Sequence, residues 1–332
     1  MTSGSRCCLF TLALARGCLL LPLVLTFVTC NPVFEPKADF REQLVVFSIL
    51  GTNRSEQVAR VYTTYDPEGL DPSTNTSEGM VTNARVTLND GTRSITMKDT
   101  LISRPDTTRY RTPMSAYAVN GLTLKGGETF TLTVESATHG SAVGSMTLPH
   151  HATLSVNGSR IIESGGGTDQ SEQITITAYP GHGATGTVSR IYVDYEVGHP
   201  GRPFPGRIEV PERYPTDILP HIERTYPQLK RLLGTAAVVR FTKEAYQLTL
   251  SDALSRHPQL PVTFKRVVVV FLQAEAHLFA YYFVTNAFFD KGSIRTDQPN
   301  HSNISGGIGV FGGFTVDSLV YSLPDNFPFN RN

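Results

Sequence analysis

The sequence predicts a mainly β protein with a smaller α+β C-terminal part, its N-terminal domain an immunoglobulin-like β-sandwich. Three observations carry this expectation. Between Leu44 and Val134, short apolar or alternating runs recur, separated by clusters of Gly, Pro, Asn and Asp, the punctuation of sandwich strands and turns. Helical readings begin only beyond residue 198. The 332 residues, 17% of them charged, suffice to bury a core and to hold two domains, and the charges are too sparse for a disordered polyelectrolyte. The 29 basic and 29 acidic side chains also leave no excess for the basic stripe of a nucleic-acid binder, so no nucleic-acid partner is expected.

Residues 1–29 read as a signal peptide of lipoprotein type. Arg6 and Arg16 precede an uncharged apolar run, Cys18 to Val28, that is shorter than the about 20 residues a spanning helix needs. Asn31-Pro32 then ends any helix, because proline lacks an N–H and disfavours helix in the residue before it. All four cysteines, Cys7, Cys8, Cys18 and Cys30, lie in the first 30 residues, so Cys30 has no later disulfide partner. Phe27-Val28-Thr29-Cys30 is similar to the site of a bacterial lipoprotein acylation signal, with Phe27 and Thr29 as its departures. Cys30 is therefore expected to carry acyl chains of the palmitate kind, each buried CH₂ contributing about 0.8 kcal/mol to membrane anchoring. The alternatives are an ordinary secretory signal that happens to end in cysteine, and a membrane anchor. Without residues 1–29 the chain has 27 basic and 29 acidic side chains, too small a field to select a partner.

From Cys30 to Pro149 the elements follow in order. Leu44–Leu50 is an apolar core strand closed by Gly51, and Val58–Tyr65 is a second strand ended by Asp66-Pro67. Asp66–Gly79 reads as a loop. Ala84, Val86 and Leu88 alternate with polar residues, and Asn89-Asp90-Gly91 turns the chain into Ser94–Lys98. Phe130, Leu132 and Val134 alternate with threonines in the clearest strand of all. Residues 150–197 form a second β region, with strands at Ala152–Val156, Ile174–Ala178 and Val188–Val197; whether these make their own sandwich or extend the first stays open. Residues 198–332 are the mixed α/β part. Gly198–Gly206 is a linker or ordered loop, Tyr226–Leu233 a helix with Pro227 near its start and Gly234 past its end, Val267–Phe271 a buried strand and Ala274–Phe289 a core helix.

Motifs that could carry chemistry are sparse. Gly307-Ile-Gly309-Val-Phe-Gly312 matches a dinucleotide fingerprint in letters, but strand-like residues follow it where a helix N-terminus must hold the pyrophosphate. Glycines that admit close backbone packing explain the run better. The nine histidines show no i, i+4 pair, and Glu128, Glu135, Glu163, Asp169, Asp194 and Glu196 are scattered near turns and strand ends. Tyr192 with Tyr195, and Tyr281, Tyr282, Phe283, Phe288 and Phe289, are read as core aromatics. Five Asn-x-Ser sequons, at Asn53, Asn75, Asn157, Asn300 and Asn303, are read as chance in a polar chain. No catalytic, cofactor or metal residues are assigned; the one site residue is Cys30.

The order of these motifs resembles the Bacteroidota lipoproteins grouped as domain of unknown function 4249. The likeness runs through Leu44-Val-Val46, Ala84–Gly91, Gly127–Val134 and Leu148-Pro149, then Tyr281-Tyr282 and Ser302-Asn-Ile-Ser-Gly-Gly-Ile-Gly-Val-Phe-Gly-Gly313. The resemblance implies an outer-membrane lipoprotein found alongside TonB-dependent receptors, and it implies no catalytic residues. The expected function is non-enzymatic binding at the membrane surface. Its alternatives are a secreted or anchored hydrolase of glycan or peptide, and an adhesin or structural envelope protein.

Overall fold

The structure, a computed structural model, describes residues 39–66, 75, 78–105, 107–108, 110–165, 172–199, 201–214, 224–287 and 301–331. The signal-peptide stretch, Cys30, most of the loop after Asp66, Asp169, Phe288, Phe289 and Asn300 lie outside the described residues. Residues 42–65 and 73–332 form one compact unit; the other, 1–41 with 66–72, includes only 39–41 and 66 of the described residues.

The compact unit is built on a nine-stranded sheet. Numbered in chain order, its strands are β1 (Leu44–Gly51), β2 (Gln57–Thr63), β5 (Lys98–Ile102), β6 (Met114–Val119), β11 (Gly186–Val197), β12 (Phe204–Val210), β13 (Lys230–Arg231), β15 (Val262–Ala274) and β17 (Gly307–Ser322). Their order is β12-β11-β15-β17-β1-β2-β6-β5, with β13 beside β11. A five-stranded sheet holds β3 (Arg85–Asn89), β4 (Ser94–Thr96), β7 (Thr129–Ser136), β8 (Gly140–Thr147) and β16 (Ile304–Ser305). A three-stranded sheet holds β9 (Thr153–Asn157), β10 (Gln173–Tyr179) and β14 (Ala237–Thr242). Three α-helices lie among the described residues: α1 (Ser159–Ser164), α2 (Lys243–Ser255) and α3 (Ala276–Tyr282).

Two apolar cores lie against the long sheet. In the first, Leu44, Val46 and Val61 of the long sheet meet Val86, Phe130 and Leu132 of the five-stranded sheet. In the second, Ile191, Val267 and Val269 meet Ile174, Phe241 and Leu250 of the three-stranded sheet and α2. Both cores use the same face of β17: Phe311 enters the first, while Leu319 and Tyr321 pack on the second, and odd-numbered positions share a side. The result is mainly β, with sandwich-like packing of sheets and a small helical part towards the C-terminus.

β17 is central because it pairs with both halves. Its first half runs parallel to β1, Leu44↔Gly307 to Gly51↔Phe314, and its second half antiparallel to β15. The glycines that imitate a nucleotide loop therefore lie inside a strand. A Cβ at Gly307 would stand 2.5 Å from the Leu44 carbonyl oxygen. Gly309 has φ +121°, and its Cβ would strike the Val46 carbonyl oxygen. Asn303 clamps the same stretch: its Oδ1 accepts from Phe311 N at 2.9 Å, and its Nδ2 donates to the Phe311 and Ser145 carbonyls at 2.7 and 3.3 Å.

The segment leading from β8 to β9 crosses between layers and is tied down by β17 and β15. Thr315 Oγ1 donates to the Pro149 carbonyl at 2.6 Å, and Asp317 accepts from Ala152 N at 2.8 Å. Gln273, fully buried, donates to the His150 carbonyl at 3.0 Å and to Asp317 at 3.1 Å. These bonds satisfy groups that burial would otherwise leave unpaired.

Most expected strands stand within a residue or two of their sequence positions, and Asn89-Asp90-Gly91 does turn the chain, Gly91 at φ 86°. The question left open for residues 150–197 resolves by division: β9 and β10 join the three-stranded sheet, and β11 joins the long one. Two expectations are corrected. Tyr226–Leu233 is extended rather than helical; Lys230 and Arg231 form β13 against Thr187 and Gly186, and Leu233 stays exposed. As a helix the segment would put Tyr226, Leu229 and Leu233 on one face, but Tyr226 and Leu233 stay exposed, whereas pairing gives the margin of β11 backbone partners. The ordered-loop reading of Gly198–Gly206 stops short of its end: Val197 pairs with Phe204, so the last residues begin β12, an edge strand, which tolerates Pro205. Ala274 ends β15 and Glu275 caps α3, so the expected helix starts two residues later; a π-helical turn, Phe283–Ala287, follows it. Among the described residues, no helix is long and apolar enough to cross a membrane.

Replacing Gly309 by Ala should cost about 3 kcal/mol or more, since strain and overlap with β1 add. Asn303→Ala should cost about 2–3 kcal/mol by leaving the Phe311 backbone groups unpaired. Gly91→Ala, also at positive φ but in open space, should cost only about 1 kcal/mol. Urea unfolding of the three variants checks this order.

Candidate functional site

The site with the most developed geometry begins with a break in strand period. In β15, Phe264 and Val267 are both buried, although strict alternation would put them on opposite faces. A bulge reconciles them: Tyr195 pairs with Phe264 and Asp194 with Arg266, so Lys265 is the extra residue. Lys265 and Arg266 consequently both project from the outer face, as adjacent residues of a regular strand cannot.

Opposite them stand two carboxylates of β11. Asp194 Oδ1 accepts from Arg207 Nε at 2.5 Å, and its Oδ2 accepts from Arg207 Nη2 at 2.9 Å and Arg266 Nε at 2.8 Å. Lys265 Nζ lies 3.4 Å from Glu196 Oε2. The Arg207 hydrogen bonds, with Arg266 beside them, hold the Asp194 carboxyl below its ordinary range against the opposing effect of burial. Asp194 in turn raises the Arg207 guanidinium. Arg207 also lies over the Tyr192 ring, 5.4 Å from its centroid, and Gly206 lets β12 approach the buried Tyr195 ring.

Two clefts open here, of about 700 and 530 Å³, and they share Glu196 and Lys265. Pro203, Pro258, Pro261 and His199 line the larger; Arg207 and Arg266 line the smaller. One wall is held by Arg331, whose Nη2 donates to the carbonyls of Leu254, His257 and Leu260 and so caps the C-terminal end of α2 and the loop beyond it. A further cleft of about 380 Å³ lies on the first half beside Phe47, Tyr62 and Glu78, where Arg104 makes a two-pronged contact with Glu78.

The residues considered from sequence separate into distinct places. Cys30 lies outside the described residues. Asp194 and Glu196 come together in the shared cleft, whereas Glu128 caps a turn at Lys125 and Glu135 pairs with Arg85 across the five-stranded sheet. Tyr195 is core, Tyr192 faces outward beneath Arg207, and Tyr281 packs on Phe47 with ring centroids 5.7 Å apart. His151 Nδ1 meets Asp317 Oδ1 at 2.7 Å, but Asp317 also holds Ala152 and Gln273, and neither residue lines the clefts above. His277 and His301 stack at 5.5 Å. Among the described residues, no three or more His, Cys, Asp or Glu converge to hold a metal ion. Arg207, Lys265 and Arg266 were not singled out by sequence; the signal for two of them was Phe264-Lys-Arg-Val267, polar residues paired inside a strand whose flanking positions are apolar.

The fold and its clefts define a β-rich protein of two cores on one shared sheet. The chain belongs to the family described as "Domain of unknown function (DUF4249)", whose family model matches residues 31–319. No curated protein matches it. Among solved structures, one similar chain is the C-terminal globular domain of oligosaccharyltransferase from Pyrococcus abyssi, at 8% identity and a TM-score of 0.15, with 83% of this chain and 44% of that one covered. The chain thus spans under half the length of that structure.

Because the Asp194 carboxyl is depressed in the folded chain, its stabilisation is present above the unfolded value of about 3.9 and lost as pH falls through the folded value. Asp194→Asn should cost about 1–2 kcal/mol at pH 7, and the difference from wild type should shrink below about pH 4. Unfolding curves at pH 7 and pH 3 check this.

Proposed function

We propose that the chain is a non-enzymatic binding protein, anchored to the outer membrane through acyl chains on Cys30 and working beside a TonB-dependent receptor. The observation that carries the binding part is the shared cleft, whose facing carboxylates sit in ion pairs. A carboxylate held low, as Asp194 is, stays ionised at neutral pH and serves recognition; proton transfer calls for a group poised near the working pH. Support for the anchor comes from Cys30 at the end of the signal-like segment. The His151–Asp317 contact, a pairing of the kind some hydrolases use, is accounted for by its grip on the crossover segment.

The reading is tested by antibody capture of the untagged chain from gently solubilised envelopes, with Cys30→Ser beside wild type. Wild type should fractionate with the outer membrane and bring down a TonB-dependent receptor, and the Ser variant should leave the membrane fraction and lose most of that capture. Identical fractionation of the two forms would remove the anchor. Recovery of the wild-type chain alone, under every growth condition, would remove the partner.

A further inference from the structure

Resting on the shared cleft as the binding site, we propose that its ligand carries a carboxylate and that Arg266 receives it. Arg266 is aimed by two independent features. The bulge at Lys265 turns it to the outer face, and its Nε is committed to Asp194 Oδ2 at 2.8 Å. Asp194 is itself fixed by two bonds from Arg207, at 2.5 and 2.9 Å, so the guanidinium is held from behind by a carboxylate that cannot easily turn away. That arrangement leaves Nη1 and Nη2 of Arg266 with no protein partner among the described residues, on a side chain 54% exposed at the wall of the 530 Å³ cleft. Two parallel N–H groups on a planar edge match the two oxygens of a carboxylate.

Charge points the same way. Arg207, Lys265 and Arg266 face Asp194 and Glu196, so three cations oppose two carboxylates, and the surplus positive charge sits where the Arg266 edge opens. Of the other basic groups on the walls, Arg331 is occupied by three carbonyls and His199 lies in the adjoining cleft. Pro203, Pro258 and Pro261 in that adjoining cleft have no N–H to satisfy and suit the uncharged body of an elongated ligand. The structure therefore favours a short acidic peptide or a molecule of similar shape, its carboxylate on Arg266 and its body along the prolines.

The probe is the peptide acetyl-Gly-Pro-Glu-amide, compared by calorimetry with its Gln counterpart and with inorganic phosphate, on the full mature chain in detergent at low salt. The Glu peptide should bind at least tenfold more tightly than the Gln peptide. Arg266→Gln should abolish that preference, and Arg266→Lys, which keeps the charge without the fork, should restore only a small part of it. Arg256→Gln, at an ion pair on α2, should leave it unchanged. Equal binding of the Glu and Gln peptides would overturn the carboxylate assignment while leaving the cleft as a binding site. Phosphate binding as tight as the Glu peptide, or an Arg266→Lys variant equal to wild type, would reduce the site to a plain positive charge and overturn the fork. Binding of none of the three probes, with receptor capture intact, would overturn the proposal without touching the anchored-partner reading.

Discussion

The insertion of β17 between β1 and β15 is the constraint on which the rest of the structure depends. A parallel neighbour brings its backbone within hydrogen-bonding distance along its whole length, and here two positions facing β1 have no room for a side-chain carbon. Gly307 and Gly309 lie against the carbonyls of Leu44 and Val46, while Gly312 and Gly313 make room for α3 and for Met146 with Leu148. Asn303 substitutes for a strand neighbour by pairing with both backbone groups of Phe311. The glycine-rich closing segment is thus a packing solution, and its resemblance to a phosphate loop is a coincidence of letters.

Because β1 and β17 come from opposite ends of the described chain, the long sheet is complete only when both ends have met. Each core contributes one wall from that sheet, so each depends on a strand the other also uses. Thr315, Asp317 and Gln273 extend the dependence by holding residues 149–152 where the chain passes from one layer to the next. Loss of β17 would uncover apolar surface in both cores, which ties them into one cooperative unit despite their separate side chains.

Much of this was legible in the sequence, and the illegible part has physical reasons. Strands with one buried face, such as that of Phe130, Leu132 and Val134, announce themselves by period. β6 and β8 do not: Ser115, Ala116 and Ala118 of the one and Gly144 of the other are buried by close neighbours rather than by bulk. The α2 helix was legible in retrospect, since Thr242 accepts from Ala245 N as its cap and Ala245, Tyr246, Thr249, Leu250 and Ala253 form its buried face. Its low overall hydropathy hid it. Tyr226–Leu233 misled in the opposite way, with helix-like ends around a segment whose Lys230 and Arg231 pair with β11 instead. For the site, sequence reached Asp194 and Glu196 as single carboxylates; their meeting with Arg207, Lys265 and Arg266 depends on a strand register that no local pattern encodes.

The bulge is where the sheet departs from what its cores require. In a strand of regular period Phe264 and Val267 would lie on opposite faces, and removing one residue between them would bring both to the core without a bulge. What the extra residue adds is a second cation beside the first, opposite Glu196 and an Asp194 that Arg207 already holds. An exposed ion pair contributes about 0–1 kcal/mol, a small return for an interrupted ladder, and stability alone gives no reason for the irregularity. Its consequence is a mixed-charge wall at the meeting of two clefts, with charge placed where a charged ligand would be recognised. The same sheet that joins the cores therefore carries, at the bulged pair of β11 and β15, the surface on which a binding function is best founded.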